Sequence, residues 1–205
     1  MSHGLQIDWY RHYMEHKRVA PLHPGDLERQ LQSDAPFLEM VAKQVPSAGQ
    51  ILECGCGLAR TAMSMAHTGY RITLLDHDPR LLEQVRISAR QLALTMNYLQ
   101  GDFFRLDESV QDKSFDGVTH QGVLEHYDSA EILVIIAQQL RVAPVVVCSV
   151  PIKTPYNLEY FQDNLYRNLW PEVVWRERLH PAFQVVESLV VRQRTDNLIM
   201  ALKAA

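Results

Sequence analysis

Between Gln50 and Val150 short apolar runs alternate with longer stretches of helical spacing, the pattern of strands and crossover helices in a parallel sheet. Ile51–Glu53 predicts a first strand and Ala59–His67 the helix after it, closed by Gly69 as its C-cap. Arg71–Asp76 reads as a second strand. Asp78 is an N-cap residue and Pro79 suits the first helical position, so a helix is expected from there to about Leu94. Asn97–Gln100 and Phe115–Thr119 read as a third and a fourth strand, Ser129–Leu140 as a helix, and Pro144–Val150 as a buried fifth strand. Beyond Pro151 the periodicity is lost. An aromatic-rich stretch leads to a helix near Pro171–Leu179 and to two β-rich runs, Phe183–Arg192 and Leu198–Leu202, close enough to pair as an antiparallel hairpin at the sheet edge. Residues 1–49 read as helices outside the sheet, broken at Pro21, Pro24 and Gly25.

The expected architecture is therefore α/β: a doubly wound, mostly parallel sheet of seven strands with an antiparallel edge, helices on both faces and an N-terminal helical cap. A chain of 205 residues, 47% hydrophobic and 21% charged, suffices for one sizeable core. We expect a single domain over residues 1–205, with a cap (1–49), a ligand-binding core (50–150) and a segment (151–205) that walls a substrate and ends in the hairpin.

Charge and cysteine content narrow the function. A net charge of −4 and a sequence pI near 6.1 give no basic footprint, so no nucleic-acid partner is expected. No apolar run is long enough to span a bilayer and the opening MSHGLQIDWY is too polar for a signal peptide, so no membrane partner and a cytoplasmic location are expected. Of the three cysteines, Cys54 and Cys56 sit inside a glycine turn and Cys148 is remote. A metal site on that pair would need two further ligands, and none is expected.

The candidate chemistry lies in ILECGCGLAR, Ile51–Arg60. A glycine turn opening a helix commonly cradles phosphate, yet Glu53, just before it, would repel one. The dinucleotide fingerprint G-x-G-x-x-G would need a third glycine where Arg60 stands. A ligand with an amino group or a positive centre fits better, because the carboxylate compensates charge while Gly55 and Gly57 let it approach the backbone. Asp76 lies 23 residues beyond Glu53, near the distance at which an acidic side chain meets a ribose. The site asks for a nucleoside and an ammonium-like group together, without phosphate.

Four segments in order, ILECGCG, LLDHDP, QGDFF and FDGVTHQGVLEHY, resemble the motifs of the class I S-adenosylmethionine-dependent methyltransferases, over about Gln50–Val150. The resemblance implies a Rossmann-like fold and S-adenosylmethionine as cofactor, with S-adenosylhomocysteine as product. It implies that Glu53, Gly55 and Gly57 line the methionine part, that Asp76 binds the ribose, that His77 lies against the adenine, and that Asp102 and the Phe103 backbone meet its other edge. His120 and Gln121 would end the fourth strand near the transferable methyl. Ala59 stands where many members carry a third glycine, and only a tighter pocket is expected from it.

His126 and His120 are the candidate general bases, since histidine titrates near neutrality. Trp9, Tyr10 and Tyr13 share helical spacing, as a packing face or as a lid over the cofactor, with Tyr13 a cofactor contact. Tyr156, Tyr160, Phe161, Tyr166 and Trp170 are dense enough to wall a small, partly apolar substrate. The expected activity is methyl transfer to an N or O nucleophile of a small molecule. The alternatives are a non-catalytic protein that binds the same cofactor and an enzyme acting on RNA or protein; for the latter the N/D-P-P-[YF] signature is missing. A monomer and a homodimer are equally compatible with the sequence.

Overall fold

The computed structural model describes residues 7–16 and 22–205. Seven strands form one sheet: β1 (Gln50–Cys54), β2 (Arg71–Asp76), β3 (Asn97–Gln100), β4 (Gly117–Gln121), β5 (Val146–Pro151), β6 (Phe183–Arg192) and β7 (Asp196–Ala204), in the order β3-β2-β1-β4-β5-β7-β6. β1 to β5 pair in parallel. β7 runs antiparallel to both β5 and β6, so the hairpin lies at the sheet edge and β6 is its outermost strand. Burial explains that arrangement: Leu198 to Leu202 of β7 are wholly buried, whereas β6 leaves Leu189 and Val190 exposed.

Helices cover both faces, as the near-continuous apolar strands require. On one face α5 (Ser129–Val142) and α7 (Glu172–Leu179) bring Ile132, Ile135, Ile136, Trp175 and Leu179 onto Leu52, Val118, Cys148 and Met200. On the other, α2 (Leu27–Gln44), α3 (Arg60–His67) and α4 (Pro79–Gln91) bring Phe37, Met40, Met63 and Val85 onto Ile51, Leu74, Val147 and Ile199. A short N-terminal helix, α1 (Trp9–Arg11), continues as a wider turn through His16, and α6 (Pro155–Tyr160) follows β5. The break expected at Pro24 and Gly25 is a single 3-10 turn, Pro24–Asp26, that feeds α2; Pro21 lies outside the described residues.

The helix expected to about Leu94 ends at Gln91, the fifth strand starts at Val146 and the last spans Asp196–Ala204; two further differences have local reasons. β4 begins two residues later than its apolar run suggests, because Asp116 is held outside the strand: its carboxylate accepts from the Gln50 N–H at 2.7 Å and its own N–H donates to the Gln50 carbonyl at 2.8 Å. The polar His120 and Gln121 complete the strand. α3 starts at Arg60 and not at Ala59, which has φ 50, ψ 33. That left-handed backbone favours glycine by about 1 kcal/mol, partly offset by glycine's greater freedom in the unfolded chain. Ala59 is 2% exposed, and glycine also gives up its buried methyl at about 0.8 kcal/mol. Ala59→Gly is therefore expected to lower stability slightly, by up to about 1 kcal/mol, read as a slightly earlier urea midpoint at unchanged slope.

β1 is flanked by β2 and β4, so the strand order reverses there and the carboxyl ends of β1 and β4 open a crevice, the usual ligand position in such sheets.

Candidate functional site

The turn after β1 carries Gly55 at φ 63 and Gly57 at φ 53. Its Gly55 and Cys56 N–H groups donate to the Leu75 carbonyl at 2.8 and 3.2 Å, which ties the turn to the end of β2. A side chain at Gly57 would put its Cβ 3.2 Å from the Tyr13 ring, and one at Gly55 would stand 3.2 Å from Val123. Asp76 closes β2 beneath this turn: Oδ2 accepts from Gly57 N–H and Oδ1 from Asp78 N–H, both at 3.0 Å. Burial raises its carboxyl pKa, against the pull of those two N–H groups and of His77.

Two cavities meet at the crevice. The first, a cleft over the glycine turn, is lined by Asp76, His77, Phe103 and Tyr127, and Trp9 and Tyr13 fill it down to about 40 Å³. The second is a chamber of about 560 Å³ whose wall includes Asp34, Arg60, Glu125, Arg167 and Arg194. Trp9, Tyr13, Gly122 and His126 line both. Outside the crevice the N-terminal helix is tied to α4, where Arg80 pairs with Asp8 at 2.7 Å and lies over the Tyr10 ring at 4.7 Å. Tyr10 thus faces Arg80, while Trp9 and Tyr13 enter the crevice.

His126 stands at the junction in the 3-10 turn after β4. Its Nδ1 lies 2.8 Å from the Tyr166 carbonyl, which only accepts, so Nδ1 carries the proton and Nε2 keeps a lone pair. Burial pushes the imidazole down to about 4, leaving it neutral at neutral pH. The Trp9 ring packs against it at 4.8 Å. Glu125 Oε1 is 3.7 Å from His126 Nε2, and Glu125 Oε2 is buried without a hydrogen-bond partner among the described residues. Burial lifts the Glu125 carboxyl to about 7.

The structure brings most of the sequence-derived residues to this place. Gly55, Gly57, Asp76, His77, Phe103, Tyr13 and His126 line the cleft, and Gln121 lines the chamber. Glu53 is buried beside the turn, accepts from Thr119 Oγ1 at 3.3 Å and is lifted to about 8 by burial. Asp102 accepts from the Phe104 N–H at 2.9 Å, capping the turn that carries Phe103.

His120 is not brought to the site. Strand alternation points it to the face that α5 covers: it is wholly buried, beside Gln139, and pushed down to about 3 by burial. Among the aromatics, Tyr160 and Phe161 reach the chamber. Tyr156 instead lies under Arg192 at 4.8 Å, and Trp170 packs on Trp175 at 4.7 Å. Tyr166 contributes its carbonyl to His126. Sequence reasoning did not single out Glu125, Arg167 or Arg194. Glu125 adjoins His126 in the same turn, but nothing local marks the two arginines.

These burials set a pH dependence. Glu53 and Glu125 have folded values above the ordinary 4.5, so the folded state holds protons that the unfolded chain has lost, and stability falls as pH rises to 7–8. His120 and His126 are depressed below 6.5 and act oppositely, but only below about that pH. Thermal stability of the ligand-free protein is therefore expected to decline between pH 6.5 and 8, where the folded values of the two raised glutamates lie, and Glu53→Gln to remove most of that decline in thermal melts.

Residues 51–143 match the family model described as "Methyltransferase domain". Residues 51–143 of the chain thus carry a methyltransferase domain. The chain is 33% identical over 107 residues to an uncharacterized methyltransferase of Bacillus subtilis, covering 52% of this chain and 42% of that one. It is 36% identical over 90 residues to an S-adenosyl-L-methionine-dependent Diels-Alderase of Talaromyces variabilis, covering 42% and 30%. A ubiquinone biosynthesis O-methyltransferase of Roseobacter denitrificans is 29% identical over 132 residues, covering 64% and 49%. The chain thus spans less than half the length of these curated relatives. The crystal structure of magnesium protoporphyrin IX methyltransferase from Synechocystis with bound S-adenosylmethionine superposes with a TM-score of 0.71 at 14% identity, over 100% of this chain and 98% of that one. A Burkholderia thailandensis 1,6-didemethyltoxoflavin-N1-methyltransferase gives 0.71 at 18%, over 98% and 88%. At such identities the likeness is one of fold, and the methyltransferase domain is the part of this chain that the sequence comparisons identify.

Proposed function

We propose that this protein transfers a methyl group from S-adenosylmethionine to a nitrogen or oxygen nucleophile of a small molecule. The observation that carries the reading is the junction: a cleft built on a glycine turn and an aspartate meets a separate polar chamber at Gly122 and His126. The residues fit the cofactor. A Cβ at Gly57 would press on the Tyr13 ring across the cleft, Asp76 offers carboxylate oxygens at the cleft for a ribose diol, and Phe103 and Tyr127 offer apolar walls. The cofactor supplies a methyl on a sulfonium, and the protein's task is to align a nucleophile with it and exclude water.

Within that reading His126 receives the proton of a hydroxyl acceptor at Nε2, while Nδ1–H on the Tyr166 carbonyl holds the ring in place. An amine acceptor needs only to be held uncharged. Glu53, ionised when an ammonium is near, balances the cofactor's amino group. Names among the similar proteins support a small acceptor, since they include ubiquinone O-methyltransferases and a toxoflavin N-methyltransferase. The open chamber does not favour a non-catalytic role, which would call for an acceptor side filled by protein.

Ligand pockets commonly hold about 300–1,000 Å³, far above the room that Trp9 and Tyr13 leave in the cleft. Cofactor binding therefore displaces the helix that carries them. S-adenosylhomocysteine is expected to change tryptophan emission saturably, with the change absent in Trp9→Phe. The activity itself is tested by incubating the protein with methyl-labelled S-adenosylmethionine and a small-molecule metabolite extract. Label in a low-mass product that survives nuclease treatment supports the reading; cofactor binding with no labelled product sinks it.

A further inference from the structure

A buried carboxyl stands at the junction with hydrogen-bonding capacity that its own contacts do not use. Glu125 lines the chamber, is 3% exposed and leaves Oε2 without a hydrogen-bond partner among the described residues. Its other oxygen lies over Gly122, where an added Cβ would stand 3.5 Å from Oε1, and Gly122 lines both cavities. Oε1 is also 3.7 Å from His126 Nε2, too far for a hydrogen bond. Arg167 is the cation whose charge reaches this carboxyl, but its guanidinium donates through two nitrogens to the Asp163 carboxylate and stacks on Phe161 at 4.5 Å.

The turn that carries Glu125 and His126 is fixed at both ends. Gly122 N–H donates to the Ser149 carbonyl at 3.0 Å, and Asn168 N–H donates to the Glu125 carbonyl at 2.7 Å. With Nδ1–H on the Tyr166 carbonyl, Nε2 can only accept. A carboxylate and a ring lone pair thus line the same chamber 3.7 Å apart, and one nitrogen atom can stand about 2.9 Å from both. A primary amine fits this pair, because it has a hydrogen for each acceptor and still keeps a lone pair for the methyl. A hydroxyl has a single hydrogen. A vicinal diol has two but no charge, whereas an amine arrives as an ammonium and supplies the cation that a buried carboxylate needs.

We propose that the methyl acceptor is a primary amine, bound as its ammonium between Glu125 and His126 and made nucleophilic there by losing one proton to the Glu125 carboxylate. This rests on the proposed function and narrows its nucleophile to nitrogen. After the proton has moved, the amine keeps one hydrogen on His126 Nε2 and the other on the unprotonated oxygen of Glu125, and turns its lone pair to the sulfonium methyl. The nitrogen–carbon bond forms as the carbon–sulfur bond breaks, and sulfur leaves with the electron pair. The product departs as a secondary ammonium, and Glu125 returns its proton to water. Such a site rejects the matching alcohol, which leaves one buried acceptor unpaired and the carboxylate without a counter-charge.

The test is carbon-13 nuclear magnetic resonance of the glutamate side-chain carboxyls in protein saturated with S-adenosylhomocysteine, the Glu125 signal being assigned by its loss in Glu125→Gln. Benzylamine, benzyl alcohol and catechol are the titrants, with affinities measured in parallel by calorimetry. A saturable shift of the Glu125 signal is expected with benzylamine, whose affinity is expected to exceed that of either neutral probe at least tenfold and to fall at least tenfold in folded Glu125→Gln. A smaller preference over benzyl alcohol, no saturable shift with benzylamine, or unchanged affinity in the variant would overturn the proposal. Catechol binding as tightly as benzylamine would overturn it too, by assigning the pair to a vicinal diol. So would a loss of S-adenosylhomocysteine binding in folded Glu125→Gln, which would place the carboxyl in the cofactor site. Failure of the unmodified protein to bind S-adenosylhomocysteine sinks the methyltransferase reading instead, a separate result that the saturation step records.

Discussion

Asp76→Ala is expected to weaken S-adenosylmethionine binding by about 100-fold or more and to lower stability by roughly 2–6 kcal/mol. Both effects have the same origin. The Asp76 carboxylate accepts from the Gly57 and Asp78 N–H groups, and an alanine leaves two buried donors unpaired, at about 1–3 kcal/mol each. The glycine turn then loses the contact that holds it against β2, and the ribose diol loses its acceptor. Asp76→Asn separates the two contributions, because one amide oxygen still accepts from a backbone donor while the bidentate carboxylate is gone. Its stability is expected between those of the other two proteins, and its cofactor affinity near that of the alanine variant. Calorimetric titration with S-adenosylmethionine beside urea unfolding checks both. A folded Asp76→Ala protein that binds the cofactor like the original would remove Asp76 from the ribose site.

The second large effect concerns His126. For a hydroxyl acceptor, His126→Ala is expected to lower kcat by about 100- to 1,000-fold, within the usual range for removal of a general base; for an amine acceptor the loss is expected below about tenfold. The distinction separates proton removal from packing, since His126 also supports Trp9 and its loss loosens the cleft for either acceptor. The pH profile gives an independent reading. With the imidazole pushed down to about 4, it stays a competent base well below pH 6.5, so in Glu125→Gln, which removes the neighbouring carboxyl lifted to about 7, kcat/KM is expected to show no inflection near the ordinary histidine value. An inflection there in that variant would mean that His126 titrates as an exposed histidine and that its buried geometry is not the working one.

The local pattern of residues determined much of this protein. Strand, turn and helix succeed one another because apolar spacing, the Asp78–Pro79 helix start and the Gly69 stop act over a few residues, and each is where its chemistry puts it. The cleft was readable for the same reason: Gly55, Gly57 and Asp76 sit at strand ends, and adjacent parallel strands bring such ends together.

What the tertiary structure alone decided is which of these residues face one another. His120 and His126 look alike in the sequence, but the first lies on the strand face covered by α5, while the second follows the strand and turns into the crevice. The chamber joins Asp34, Arg60, Glu125, Arg167 and Arg194, residues drawn from segments far apart in the chain. No local signal relates them, because charges separated by many residues acquire a common environment only when the sheet order and the β6–β7 turn fix their positions.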